Sequence, residues 1–427
     1  MTGDSRIPDT IHFSNHLANP DSPFGLSTLL RSFIDTREGT TGEVLHTLLR
    51  AARLHLGMDI GFIAEFENGR RTFRHLDQAD GHHLLQVGAS DPLDDSYCQR
   101  VVDGRLPQLI HNAMELPAAR ALPVTEAIGL GAHISVPIRL PDGNLFGTFC
   151  CFSFRGDYTL GDRDLSMMYA FADIAGALIG KDIDASRELA EKRKRIEGLL
   201  GGEGFYMAWQ PIVDVASRRI AGVEALARFS ARPPRTPDAW FREAAEVNLA
   251  PQLETRAIEK SLAILEHLPA DAYLTCNVSA RAFIEGTVIN LLEKNPLDRI
   301  VLEITEHDVV NDYEALARAL QPLRARGLRL AVDDAGAGYS SLRHVLMLAP
   351  DLIKLDVSLT RDIDADGARQ AMVNAMVHFA EGTHCRLVAE GVETQRELDT
   401  LRRLGVTHIQ GYFLHRPLSM KELLLLL

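Results

Sequence analysis

Eight short strand-like runs, interleaved with helical segments, fill the second half of the chain and constrain its fold more than any other feature. The runs are FYMAWQPIV (205–213), RIAGVEALA (219–227), YLTCNVS (273–279), IVLEIT (300–305), LRLAVDD (328–334), LIKLD (352–356), RLVAEGV (386–392) and HIQGY (408–412). Between them lie helical patterns such as ARAFIEGTVINLLEKN (280–295), YEALARALQPLRARG (313–327), ARQAMVNAMVHFAEG (368–382) and TQRELDTLRRLG (394–405). Strands alternating with helices pair in parallel through crossover helices, and eight of them favour a closed α/β barrel over an open sheet. In such barrels the chemistry gathers at the C-terminal strand ends, where loops vary while the strands hold their ends in place.

Nearly every strand delivers a polar group to that rim. Glu224, Asn277, Glu303, Glu306, the adjacent pair Asp333 and Asp334, Lys354, Glu390, Glu393 and Gln410 all fall at or near a strand end. Carboxylates crowded in a partly dry mouth repel one another, so some must take up protons unless cations neutralise them. A divalent metal is the simplest remedy. The donors are oxygens without His or Cys, which favours Mg²⁺ or Mn²⁺ over Zn²⁺. Two ions about 4 Å apart, bridged by a carboxylate, form a clamp for in-line phosphodiester hydrolysis, and the pair Asp333–Asp334 suits a shared site. Each piece alone has an ordinary reading: Asp-Asp before Gly as a turn, Asn277 as a helix cap, Glu224 as a solvated strand end, Lys354 as an edge-strand lysine. The coincidence over six or more strand ends argues for a site.

The motifs VEALAR (223–228), NVS (277–279), LEITE (302–306), DDAGAGYSSL (333–342), IKLD (353–356), AEGVET (389–394) and QGY (410–412) occur in the order found in EAL domains, and residues 203–427 resemble that family. The resemblance implies a TIM-like (β/α)8 barrel and metal-dependent opening of cyclic di-GMP to linear pGpG, with two Mg²⁺ or Mn²⁺ ions per site. It implies Glu224, Asn277, Glu303 and Asp333 as ligands of a first ion, with Asp333 bridging to a second that Asp334 also holds. Lys354 resembles the residue that steadies the attacking water or the scissile phosphate, and Glu390 the general base. Glu393 and Gln410 belong to the outer part of the site, near the second ion and the substrate. Arg228 is expected on a substrate phosphate, Gln210 on a guanine, and Glu306 as an anchor of the glycine-rich loop. Ala335 stands where the family usually has Phe, which is expected to retune that loop. The alternative reading is a receptor that captures cyclic di-GMP without cutting it. GGEGF (201–205) has the look of a cyclase signature, but it lacks the second acidic position and reads as a linker turn.

The first half has a different rhythm. Residues 1–25, rich in Pro, Asp, Ser and Asn, read as a flexible lead-in. TGEVLHTLLRAARLHLG (41–57) has helical spacing and closes on Gly57. GFIAEFENGRRTFRHL (61–76) is a hairpin turning at Asn68-Gly69, and HISVPIRLPDGNLFGTFCCFSF (133–154) is a second around Pro141–Asn144. A helical stretch from Arg163 continues into ASRELAEKRKRIEGLL (185–200). Helix, antiparallel strands and flanking helix make a small α+β module, assigned to 26–182, whose arrangement resembles a GAF domain over about 42–182. That resemblance implies a sensory role with a small ligand. His75, His82, His83, His111 and His133 show no metal-ligand spacing. Cys98 reads as a buried thiol, and Cys150 and Cys151 point to opposite faces of their strand. The helical linker 183–202 carries Ile183, Leu189, Ile196 and Leu199 or Leu200 near helical spacing. It either pairs with its twin in a homodimer or is a solvated charged helix.

Composition limits the partners. With 427 residues, two domains are expected. A formal net charge of −13 argues against duplex nucleic acid. The five cysteines are scattered without CxxC spacing, consistent with a reducing cytoplasm. No stretch approaches the roughly 18 apolar residues of a membrane span, and the terminal LLLLL (423–427) is expected to be a last helical turn docking on the core.

Overall fold

The computed structural model describes residues 40–81, 84–304, 312–336 and 339–427. The lead-in 1–25, His82, His83 and Glu306 therefore lie outside the described residues. Two compact units divide between Arg187 and Glu188.

In the N-terminal unit, α1 (Thr41–His55) starts at a capping box between Thr40 and Glu43 and buries Leu45, Leu48, Leu49 and Ala52. The strands β1 (Ile60–Glu67) and β2 (Arg70–Gln78) form the predicted hairpin. Asn68 and Gly69 supply the two positive φ angles, 52° and 73°, that a two-residue turn of matching twist requires. There follow β3 (Ser90–Pro92), α2 (Tyr97–Val102), β4 (Leu109–Ile110), α3 (Pro117–Arg120), α4 (Pro123–Ile128), β5 (His133–Arg139), β6 (Leu145–Phe152) and α5 (Asp162–Leu200). The six strands make one antiparallel sheet ordered β3-β2-β1-β6-β5-β4. Alternation along each strand divides its residues between two cores. Ile63, Val136, Phe149 and Cys151 pack under α1 and the first half of α5 through Leu49, Met168, Ala172 and Ile179. Phe62, Phe73, Cys150 and Phe152 face the short helices through Tyr97, Cys98, Val101 and Leu122. Cys150 and Cys151 do fall on opposite faces.

The end of α5 belongs to the second unit. Ile196 and Leu199 are buried in the barrel unit's core, while Leu189 is exposed. Lys192 pairs with Glu246 at 2.8 Å and Arg195 with Glu243 at 2.7 Å. Two residues predicted for either a twin helix or solvent are thus taken by their own chain. GGEGF forms a turn with positive φ at Gly202 and Gly204, then enters the first barrel strand.

All eight predicted strands form: β7 (Phe205–Asp214), β8 (Ile220–Phe229), β9 (Tyr273–Asn277), β10 (Ile300–Ile304), β11 (Arg329–Ala335), β12 (Leu352–Leu355), β13 (Arg386–Ala389) and β14 (His408–Ile409). They close a barrel in the order β10-β11-β12-β13-β14-β7-β8-β9. One expectation is corrected: β7 runs antiparallel to both β8 and β14. Only residues 215–219 join β7 to β8, and a parallel pair needs a crossover of a dozen or more. The other pairs are parallel. The helix predicted over 280–295 breaks into two short helices, Ala280–Ile284 and Ile289–Leu292, with Gly286 at φ 77° between them. In the last helix, Met420–Leu426, Leu423 docks on the core while Leu425 stays 82% exposed. Among the described residues, no helix is long and apolar enough to cross a membrane.

Candidate active site

The period of two along a strand places the site. Ile212, Tyr273, Val301, Ala331, Leu352 and Val388 form a buried apolar floor inside the barrel. Two residues nearer the mouth, on the same inward face, come Thr275, Glu303, Asp333, Lys354 and Glu390. Antiparallel β7 contributes Gln210, two residues before Ile212. Glu224 follows Gly222 on β8 and pairs in register with Gln210 and Thr275. The sequence therefore changes from apolar to ionisable at one level of the barrel, in neighbouring strands.

Lys354 is the centre of that level. It is 1% exposed, and β11 and β13 flank its strand in the closed barrel, so the edge-strand reading falls. Its Nζ lies 3.3 Å from Glu224 Oε2, 3.0 Å from Glu303 Oε2, 3.3 Å from Asp333 Oδ1 and 2.6 Å from Glu390 Oε1. One ammonium thus faces four carboxylates. Among the described residues, Oε1 of Glu303 is buried without a hydrogen-bond partner. Burial first, and then repulsion among the neighbours against the pull of Lys354, raises the Glu303, Asp333 and Glu390 carboxyls above their ordinary range. The same carboxylates outweigh the burial of Lys354 and push its ammonium well up. The cluster carries more negative charge than the one lysine can balance.

The oxygens group in two overlapping sets. Glu224, Glu303 and Asp333 each bring a carboxylate oxygen to within 4.8 Å of the others, and Asp333, Asp334 and Glu390 do the same. Asp333 is common to both. Asp334 sits at φ 52°, and its backbone N–H donates to Asp333 Oδ1 at 2.9 Å, which holds the two carboxylates in fixed relation. Asn277 lies at the more open edge, its Nδ2 3.5 Å from Glu224 Oε1.

The remaining sequence-predicted residues divide. Gln410, expected at the periphery, is 4% exposed and donates through Nε2 to both Glu224 and Gln210. It belongs to the inner cluster because β14 brings it two residues beyond His408. Gln210 is buried and donates to the His415 carbonyl at 3.1 Å. Arg228 lies four residues beyond Glu224 on β8; its Nη1 donates to the Ala227 carbonyl, and it lines a cleft with Asn277 and Ser279. Glu393 is not drawn in: its carboxylate is half exposed and accepts from Arg361 at 2.7 Å. Ala335 is 1% exposed at the end of β11. The sequence reading passed over Thr275, whose buried hydroxyl lies in the polar level beside the Glu303 carboxylate. Its place two residues before Asn277 was the available signal.

Comparisons with known proteins bear on both units. The family model described as EAL domain matches residues 193–417, and the one described as GAF domain matches residues 40–179. The protein named "Probable cyclic di-GMP phosphodiesterase PdeD" from Escherichia coli (strain K12) is 30% identical over 229 residues, covering 51% of this chain and 42% of that protein. "Cyclic di-GMP phosphodiesterase PA2567" from Pseudomonas aeruginosa is 32% identical over 240 residues, covering 52% of this chain and 40% of that protein. The chain spans about two fifths of the length of these curated relatives. A solved structure titled "Structure of EAL Enzyme Bd1971 - cAMP and cyclic-di-GMP bound form" superposes with a TM-score of 0.52 at 18% identity, covering 86% of this chain and 93% of that one. That likeness is one of fold.

Proposed function

Because this chain belongs to the EAL domain family and carries a GAF domain ahead of its barrel, we propose that it hydrolyses cyclic di-GMP to linear pGpG with the help of divalent cations. One observation carries the reading: two oxygen triads, built from separate strands and sharing Asp333, surround a single buried lysine. The names of the relatives support the substrate.

The donor set fits two hard cations. It is all oxygen, its negative charge exceeds what Lys354 balances, and Glu303 Oε1 is buried with no partner among the described residues. We assign Glu224, Asn277, Glu303 and Asp333 to one ion and Asp333 with Asp334 to the other. When bound, these Mg²⁺ or Mn²⁺ ions would activate water and neutralise charge at the phosphoryl oxygens.

The chain's own groups do the rest. Glu390 shares an oxygen triad with Asp333 and Asp334 at the mouth of the cluster, which places its carboxylate to take a proton from the attacking water. Lys354, kept charged by its carboxylate neighbours, donates to the water or to a non-bridging phosphate oxygen. Arg228 offers paired donors to a phosphate on the open side. Gln210 and Gln410 hold the Glu224 side of the site and present amide groups toward a guanine edge. Glu393 acts farther out. Incubating the purified protein with cyclic di-GMP and Mn²⁺ or Mg²⁺, and separating nucleotides by chromatography, tests the proposal. Linear product from the parent protein but not from Asp333→Asn is expected; retention of intact cyclic di-GMP by the parent would leave a receptor instead.

We further assign the GAF domain to regulation of this activity by a small ligand. The support is its cleft of about 460 Å³, lined by Phe62, Phe73, Tyr97, His133 and Phe152. A fragment for comparison should begin near Glu188, since Ile196 and Leu199 belong to the barrel unit's core. Equal hydrolysis by fragment and full chain across a ligand screen would remove this assignment.

A further inference from the structure

A second buried polar cluster lies in the N-terminal unit, beside the same cleft. Cys98 of α2 and Cys150 of β6 are both 0% exposed, and their sulfurs stand 3.6 Å apart. Nη1 of Arg71 donates to Cys98 Sγ at 3.3 Å. Through Nε and Nη2 the same guanidinium grips Asp91, and its face lies 4.7 Å from the centre of the Phe73 ring. Arg71, Ser96 and Tyr97 line the cleft, so the thiol pair sits directly behind its wall. Ser135 Oγ and Thr148 Oγ1 approach Cys150 Sγ at 3.0 and 3.2 Å, which orients the second sulfur.

A thiol in an apolar core normally packs as a small hydrophobe and has no use for a cation. Here one sulfur has a fixed guanidinium and the other sulfur as neighbours. A disulfide needs an S–S distance of about 2.05 Å; side-chain rotation, with a small shift of the six-residue helix that carries Cys98 against strand β6, can close a gap of this size.

We propose that Cys98 and Cys150 are an oxidisable pair, in which Cys98 attacks a small hydroperoxide entering through the cleft and Cys150 resolves the product to an intramolecular disulfide. In the first step the Cys98 sulfur attacks the peroxide O–O bond. One oxygen leaves as water or alcohol and the other stays on sulfur as a sulfenic acid. In the second step the Cys150 sulfur attacks the Cys98 sulfur, the S–O bond breaks, and water leaves. Two thiols lose two electrons and two protons, and the hydroperoxide takes both.

The electrostatics agree with this division of roles. Burial alone raises the Cys98 thiol, but the hydrogen bond from Cys150 and the Arg71 charge outweigh it and bring it below the ordinary thiol range. Burial and the Cys98 neighbour push Cys150 well up. A sulfur of lowered pKa next to a resolving thiol is one part of the arrangement that redox-sensing cysteines use; such cysteines are usually accessible, whereas this pair is 0% exposed and is reached only past the cleft wall. Cys151, on the other face of the sheet, is raised by burial and has no such partner.

The test uses the reduced full-length protein, treated with stoichiometric hydrogen peroxide, alkylated and mapped by mass spectrometry without reduction. A Cys98–Cys150 linked peptide within one chain, lost on adding dithiothreitol, is expected before Cys385, the partly exposed thiol, is consumed. In Cys150→Ser, dimedone should label Cys98. Free Cys98 and Cys150 after Cys385 is fully oxidised would overturn the proposal. So would an unlinked sulfinic acid on Cys98 of the unmodified chain, or absence of dimedone label in Cys150→Ser.

Discussion

The barrel mouth and the thiol cluster of the GAF domain both bury polar groups, but they balance charge differently. At the barrel mouth four carboxylates surround one ammonium, and a buried oxygen of Glu303 lacks a partner among the described residues. In the GAF cluster Arg71 is matched by Asp91, and the two thiols satisfy one another. An uncompensated buried charge costs free energy in proportion to how dry its site is, so the first cluster calls for something from solution and the second is complete as folded. That contrast separates the site proposed to take up cations from the pair proposed to change its own covalent state.

Four measurements can break or sharpen it. The largest effect belongs to Asp333, shared by both oxygen triads. Asp333→Asn should lower cyclic di-GMP hydrolysis by about 10³-fold, the scale of losing a main electrostatic contact in a transition state. Chelation should abolish the activity of the parent protein and Mn²⁺ should restore it. Next comes Lys354→Met, which strips from a buried acidic cluster the one cation it has among the described residues. Denaturant unfolding should show a loss of about 3 kcal/mol, partly recovered with Mn²⁺, and the recovery should exceed the gain Mn²⁺ gives the parent. Identical gains would mean that lysine and cation do not answer the same charge.

The third concerns the GAF domain. His133 is buried, and burial first, then the Arg71 charge, hold its imidazole neutral down to about 3. Between that value and the ordinary 6.5 the unfolded chain binds a proton that the folded chain does not, so this contribution is present above 6.5 and is lost as pH falls. From pH 7 to 5 the loss should reach about 2 kcal/mol, read as lower amide protection factors in β5, and His133→Gln should flatten it. The smallest effect is at Glu393, whose pair with Arg361 is half exposed. Glu393→Gln should cost less than about 1 kcal/mol of stability and reduce hydrolysis far less than Asp333→Asn.

Much of the barrel was legible because its signals are local. Each strand announces itself by an apolar run, and each run ends on the residue that later meets its neighbours at the mouth. The hairpin at Asn68-Gly69 was equally readable, since turn chemistry is decided within two residues. The antiparallel β7 was missed although its five-residue connection to β8 was in plain sight; alternation of strand and helix was allowed to stand for direction. The break at Gly286 was missed because the apolar spacing on either side continues in helical phase.

The sequence by itself determined which residues carry charge, where strands begin and end, and that the acidic groups lie near strand ends. Only the tertiary structure decided that Lys354 faces four of those groups at once, that Gln410 belongs to the inner cluster, that Glu393 stays outside it, and that Cys98 meets Cys150 beside Arg71. The reason is physical: periodicity fixes the face a side chain points to, but the closure of the barrel and the stacking of helix on sheet set the distances between residues that are far apart in the chain.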